Sequence, residues 1–180
     1  MTPLLRRFSP DIRGATHDMR IKLDKIDIEL LNAIQSDNQL GAEKLAQIVP
    51  LSPSAIMRRL RRLRADGVIA YEAAVLSKDV LRGRLSAFIN VQLERHQAAA
   101  SRKFLAGLLK CREIQLCAEV TGSVDYLLLV TVRSFDDLNK LTADLLESNP
   151  AVHRYEISFA KTFHKRTFAV PMEDTDCVVD

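Results

Sequence analysis

The sequence predicts an α+β chain, a winged-type helix-turn-helix domain followed by a ferredoxin-like βαββαβ module. Three observations carry this. Residues 51–67, Leu-Ser-Pro-Ser-Ala-Ile-Met-Arg-Arg-Leu-Arg-Arg-Leu-Arg-Ala-Asp-Gly, form a capped helix with one thin apolar stripe and five arginines. Two shorter helical stretches precede it. From residue 86 onward the pattern changes to period-two strands interleaved with two helices.

Along the chain, residues 1–21 read as a basic arm with Arg6, Arg7, Arg13 and Arg20 and little periodicity. Asp24 is placed to cap a first helix, with Asp27 returning the capping bond and Leu23 and Ile28 at staple spacing. Its buried side holds Ile26, Ile28, Leu30, Leu31 and Ile34. A second helix is expected from Gly41 to Val49, with Ala42, Leu45, Ala46 and Val49 inward. Val49-Pro50-Leu51 turns the chain into the arginine helix. There Ser52 caps, Pro53 suits the first turn, and Gly67 supplies the stop. Val68 to Leu76 is expected as a strand, completing a domain at 22–77. Residues 78–85 form a linker.

In the second module Ala87, Ile89, Val91 and Leu93 alternate with Ser86, Asn90, Gln92 and Glu94. A helix is expected over 97–110. A second strand over 113–121 would point Ile114, Leu116, Ala118 and Val120 to one face. Gly122-Ser-Val-Asp125 is a turn, and Tyr126 to Val132 an apolar strand. Ser134 caps a helix to about Asn149, which Pro150 ends. Val152 to Lys161 is the last strand, and Thr162 to Val170 extends it or adds another. The module is set at 86–172, with an acidic tail at 173–180.

Composition agrees with a globular chain: 180 residues, 47% hydrophobic and 27% charged, net charge +3. The charge is unevenly spread. Residues 1–90 hold 15 Lys and Arg against 10 Asp and Glu, a balance of +5, and residues 91–180 come to −2. The polyanion partner therefore belongs to the first half. Three unpatterned cysteines, Cys111, Cys117 and Cys177, suggest a reducing cytoplasm without disulfide or zinc framework. Cys117 reads as a small core residue. No apolar run reaches membrane-spanning length, and the N-terminus lacks a signal-peptide core.

On the arginine helix, Ile56, Leu60 and Leu63 mark the buried face. Ser54, Arg58, Arg61 and Arg62 lie opposite, with Arg59 and Arg64 flanking. A recognition helix inserts its N-terminal part into the major groove. Ser54 and Arg58 are thus placed for base edges, and Arg61, Arg62 and Arg64 for phosphates. Arg59 would pack its stem on the stripe and give its head to a phosphate or an acid. Ser52, Ser54, Ala55, Arg58, Arg59, Arg61 and Arg62 are the candidate double-stranded DNA-contacting set.

These pieces, in this order, resemble the Lrp/AsnC family of "feast/famine" transcription regulators over residues 22–172. The quotable residues are Leu23-Asp24-x-x-Asp27-x-x-x-Leu31, Leu45-Ala46 and Leu51-Ser52-x-x-x-Ile56-x-x-Arg59-Leu60-x-x-Leu63. With them go Gly67-Val68-Ile69-x-Tyr71 and Thr121-Gly122-Ser123-Val124-Asp125-Tyr126-Leu127-Leu128. The resemblance implies DNA binding as a homodimer, further assembly often to octamers, and a small effector, commonly an amino acid, held between subunits. It also places the Gly-x-x-Asp turn at that effector site. Thr121, Gly122, Ser123, Val124, Asp125 and Tyr126 are therefore the candidate effector residues. Gly122 permits close backbone approach and Asp125 offers a carboxylate to an ammonium group; equally, glycine and aspartate are ordinary turn residues. Two departures stand out: Pro50 where the turn often has glycine, and Gly41 where a Ser or Thr cap is usual.

No catalytic, cofactor or metal constellation is read, and the four histidines have no ligand spacing. Two other readings compete. Sirohaem decarboxylases share the architecture, and would need histidines such as His96 and His153 in a porphyrin-sized pocket. An architectural DNA-wrapping protein would lack the effector response. Finally, one face of the four-stranded sheet should lie open, mixing Phe88, Cys117 and Thr121 with polar residues and suited to pairing with a second copy.

Overall fold

The computed structural model describes residues 22–77, 79–94 and 98–176. The arm at 1–21, His96 and the end of the tail lie outside the described residues. The chain divides into two units, residues up to Ala74 together with those from Arg166, and Val75–Lys165.

In the first unit, helix α1 spans Lys25–Ser36. Its start is a capping box: Asp27 N–H donates to Asp24 Oδ1 at 2.8 Å, and Asp24 N–H to Asp27 Oδ2 at 3.2 Å. Helix α2 is only Ala42–Leu45, shorter than expected, and Gly41 gives it no side-chain cap. Two bonds of the tighter i→i−3 type follow, from Gln47 N–H to Lys44 C=O and Ile48 N–H to Leu45 C=O, and Val49 N–H then donates to Leu45 C=O four residues back. Pro50 sits at the centre of a three-residue turn closed by Leu51 N–H on Val49 C=O at 2.8 Å. An inverse γ-turn needs φ near −75° at its centre, within proline's range, which is how this chain dispenses with glycine.

Helix α3, Pro53–Ala65, follows its predicted signals. Ser52 Oγ accepts from Ala55 N–H at 3.3 Å, and Gly67 takes φ 74° just past the end. Ile56, Leu60 and Leu63 pack with Leu30, Leu31, Leu45 and Val49 into the first core. The strand expected at Val68–Leu76 is not formed. Val68 and Ile69 rest on the core, but Tyr71, Val75 and Leu76 are exposed, and among the described residues no neighbouring strand offers them a ladder.

The second unit is the βαββαβ module. It runs β1 (Leu85–Leu93), α4 (Ala98–Leu108), β2 (Ile114–Glu119), β3 (Tyr126–Val132), α5 (Phe135–Thr142) with a wider π-type turn to Glu147, and β4 (Val152–Phe159). The sheet is antiparallel, in the order β2-β3-β1-β4. Ile89, Val91, Leu128 and Val130 pack beneath Phe104, Leu108, Leu138 and Leu146.

The expected alternation of β2 fails at one residue. Ile114 pairs with Val130, but Leu116 pairs with Leu129 and Cys117 with Leu128, so Gln115 is a bulge. One extra residue flips all that follow. Cys117 therefore joins the helix-covered core, and Leu116 and Ala118 turn to the face away from the helices with Phe88, Leu127 and Leu129. Burial pushes the Cys117 and Cys111 thiols above their usual range, so neither is a ready thiolate.

The last predicted segment also differs. Residues 162–170 add no strand, and from Arg166 the chain groups with the first unit. Asn32 and Gln35, one turn apart on α1, take hold of it. Asn32 Nδ2 donates to Met172 C=O at 2.9 Å, and Met172 N–H to Asn32 Oδ1 at 3.0 Å. Gln35 makes the same two-way pair with Val170, at 2.9 and 2.8 Å. Met172 packs on the first core and Asp174 takes the Lys25 ammonium. No helix among the described residues is long and apolar enough to cross a membrane.

Candidate DNA interface and effector turn

Helix α3 buries one edge and leaves its cations to two different fates. Arg58 and Arg61 are exposed, with no ion pair or side-chain hydrogen bond among the described residues. Ser54 is exposed beside them, 3.2 Å from Ser52 Oγ, and Ala55 is half-buried. Ser52 itself is the cap.

The other three arginines are held within the chain. Arg59 Nη1 donates to Asp24 Oδ2 at 2.5 Å and to Asp27 Oδ1 at 3.0 Å. Arg62 Nη2 donates to the second Asp27 oxygen. Arg64 grips Glu72 through two nitrogens, at 3.2 and 2.9 Å. The Asp27 side chain is 1% exposed, so this is a buried carboxylate answered by two guanidinium groups. Arg62 and Arg64, expected at phosphates, are thus tied to acids here. Arg59 has the acidic partner foreseen for it.

The electrostatics agree. Desolvation pushes the Asp24 carboxyl up, but the Arg59 hydrogen bond and charge, with the Asp27 N–H, outweigh it and hold its pKa below the ordinary value. The hydrogen bond to Asp24 raises Arg59 further, and the Arg64 hydrogen bond lowers Glu72. Asp27 as an internal counter-ion escaped the sequence, where its position explained it fully as a capping residue. The signal was there in Arg59, on the flank of the stripe, with Arg62 three residues on.

At the turn after β2, Thr121, Gly122 and Ser123 are exposed and Val124 is half-buried. Gly122 takes φ 140°, with open space where a Cβ would stand. That leaves backbone approachable and makes any side chain there strained. Asp125 is exposed yet already occupied in part. Its Oδ2 accepts from Leu93 N–H at 2.7 Å, its N–H donates to Val91 C=O, and its C=O accepts from Val120 N–H. It stitches the ends of β1, β2 and β3 together. Tyr126 is buried, its ring edge-on to Phe104 at 5.8 Å. The six effector candidates are therefore contiguous but unequal: an approachable loop, an anchored carboxylate and a core tyrosine.

His153 Nδ1 lies 2.8 Å from Glu94 Oε1 at the surface. Among the described residues no three His, Cys, Asp or Glu converge as a metal site.

Comparison with known proteins places both halves. Residues 23–70 match a family model for winged helix-turn-helix DNA-binding, and residues 86–170 one for the Lrp/AsnC ligand binding domain. An HTH-type transcriptional regulator of Sinorhizobium fredii is 34% identical over 156 residues, 87% of this chain and 92% of that protein. The leucine-responsive regulatory protein of Salmonella typhimurium is 34% identical, over 73% of this chain and 80% of its own. A transcriptional regulator from Neisseria meningitidis, solved as its L-Met complex, superposes with TM-score 0.75 at 33% identity, covering 83% of this chain and 96% of that one. With a helix-turn-helix unit and a ligand-binding βαββαβ unit joined in this order, the chain belongs to the Lrp/AsnC family of transcriptional regulators.

Proposed function

We propose that this regulator reads specific DNA through Ser54, Arg58 and Arg61 and adjusts its grip in response to a small amino acid at the Gly122–Asp125 turn. The observation that carries the DNA half is the division of the arginines on α3. Arg58 and Arg61 stand free on the outward face, and Arg59, Arg62 and Arg64 have internal acids. A guanidinium without a protein partner keeps its full capacity for guanine O6/N7 or phosphate. Arg58, nearer the helix start, takes the base edge and Arg61 the backbone. Ser52 and Ala55 present the helix N-terminus, and Arg59 and Arg62 brace α3 on α1.

The effector half is supported by the Neisseria regulator's L-Met complex and by the turn itself, with an approachable backbone at Gly122 and a carboxylate at Asp125. A feast or famine regulatory protein from M. tuberculosis, 26% identical, was likewise solved with L-methionine. Thr121, Ser123 and Val124 complete the loop, and Tyr126 fixes it to the core. The working form is a cytoplasmic homodimer that assembles further, closed through the open sheet face on which Phe88, Leu127 and Leu129 are now joined by Leu116. The decarboxylase reading loses support, because His153 is a surface residue paired with Glu94.

The test is fluorescence anisotropy on the DNA upstream of the chain's own gene, with random DNA as control. Arg58→Ala should lose roughly 1–3 kcal/mol on the specific duplex and little on the random one. Equal loss on both would refute base reading by Arg58. Sensitivity of binding to L-methionine or L-leucine then tests the effector half.

A further inference from the structure

Six described arginines have guanidinium groups with no ion pair or hydrogen bond: Arg58, Arg61, Arg84, Arg102, Arg112 and Arg133. Two of them are the outward cations of α3. Three of the other four, Arg84, Arg112 and Arg133, line a single groove of about 860 Å³ in the second unit. Lys110 and Lys140 join them, also unpaired. These five cations come from separate stretches: the segment before β1, the α4–β2 turn, the β3–α5 junction and α5 itself.

The groove has a second character. Its floor is apolar, with Val132, Leu141 and Leu145 continuing the core beneath it. Three carboxylates, Glu113, Asp137 and Asp144, also line it, without closing an ion pair on any of the cations. It lies where β1 and β2 begin and β3 ends, the opposite end of the sheet from the 121–126 turn, and shares no residue with that turn.

We propose that this groove is a second ligand site, which takes a small organic anion with an apolar body. The cations supply charge-assisted hydrogen bonds to one carboxylate or phosphate group, and the arginine forks suit either head. The floor takes the apolar part, and the volume lies within the roughly 300–1,000 Å³ of small-molecule sites. A DNA backbone fits less well. It gains nothing from an apolar floor, and Glu113, Asp137 and Asp144 repel a polyanion while tolerating a single charge.

The full-length protein tests this directly, with 8-anilinonaphthalene-1-sulfonate fluorescence as the probe. Arg112→Gln/Arg133→Gln should weaken its binding at least about tenfold, one charge-assisted contact's worth. Arg102→Gln, outside the groove, should not. Benzoate and phenyl phosphate should each displace the probe, and their relative strength identifies the preferred head group. All the substituted side chains are exposed, so unchanged melting temperatures are expected and confirm folding. The proposal fails if wild type does not bind the probe, or if the double variant binds it equally. It also fails if the double variant leaves probe binding intact but weakens binding to long DNA, which would make the groove a DNA contact. Because Asp125→Asn spares the groove, failure here and failure of the effector turn remain separable.

Discussion

Asp27 and Arg59, thirty-two residues apart, are joined at 3.0 Å, and the same aspartate holds Arg62 through its other oxygen. A carboxylate that is 1% exposed is costly to bury unless it is answered. Here two partly exposed arginines answer it redundantly. Arg59→Ala or Arg62→Ala alone leaves one partner, and each should cost about 1 kcal/mol. The double variant leaves the carboxylate unpaired and should cost about 3–5 kcal/mol, more than the sum. Urea unfolding of the four proteins measures the coupling. Simple additivity would mean that water replaces the guanidiniums.

The division of labour on α3 predicts different salt responses. Arg61→Ala should reduce the slope of log affinity against log salt by about one unit, the loss of one phosphate contact. Arg62→Ala should leave that slope nearly unchanged, because its charge is already compensated by Asp27. If both slopes fall alike, the Arg62–Asp27 bridge opens on DNA and the phosphate role read from the helical wheel returns.

Why the wheel gave only half of this answer is instructive. Periodicity showed which face of α3 is buried, because Ile56, Leu60 and Leu63 recur locally, and the Ser52 cap and Gly67 stop are equally local. It could not show which arginines are spent on Asp24, Asp27 and Glu72, since those pairings are tertiary. The same limit explains β2. Alternation from Ile114 to Val120 is regular in sequence, and only pairing with β3 reveals Gln115 as the extra residue. The strand expected at 68–76 has suitable residues but no partner strand among the described residues, and a strand is defined by its partner. The 121–126 turn was legible as a turn because Gly122 and Asp125 act through their own backbone and nearest strands.

Acid should weaken the first unit through Asp24. Its folded pKa lies below the ordinary value of 3.8, so its contribution is present above that value and is lost as pH falls through the folded pKa. Glu72 follows the same sign through Arg64. Stability should therefore decline as pH drops below about 4, and Asp24→Asn should flatten that decline. A thermal-unfolding series against pH in both proteins checks it. An identical slope in the variant would remove Asp24 from the account.

The clasp of α1 on residues 170–172 makes a prediction about the chain's end. Side chains three apart on a helix stand about 5–6 Å apart, and residues two apart in an extended segment about 6.6 Å, so Asn32 and Gln35 match Met172 and Val170 in spacing. They bond backbone groups, so the segment is held largely without regard to its side chains, Met172 excepted. Truncation after Lys165 should remove four hydrogen bonds and the Met172 contact. Net worth near 1 kcal/mol per bond suggests a loss of about 2–4 kcal/mol in the first unit. Faster amide exchange confined to α1 and α3 would confirm it, and unchanged exchange would show the clasp to be incidental.

The last prediction separates the two duties of Asp125. One of its oxygens anchors Leu93 N–H at 2.7 Å, a structural task that any carbonyl-type acceptor can perform. Binding an ammonium group needs the negative charge. Asp125→Asn keeps an acceptor for Leu93 and removes the charge; it should preserve melting temperature and DNA affinity while weakening amino-acid binding roughly ten- to a hundredfold, the worth of one charge-assisted hydrogen bond. Asp125→Ala removes both and should also lower stability, by about 1 kcal/mol or more. Gly122→Ala should impair binding for a different reason, because φ 140° strains any side chain even though space is open there. Calorimetric titration with L-methionine and L-leucine across the three variants reads all of this at once. If Asp125→Asn responds like wild type while Asp125→Ala alone fails, the carboxylate is a strand anchor, and the ammonium must be held elsewhere on the turn or by a second subunit.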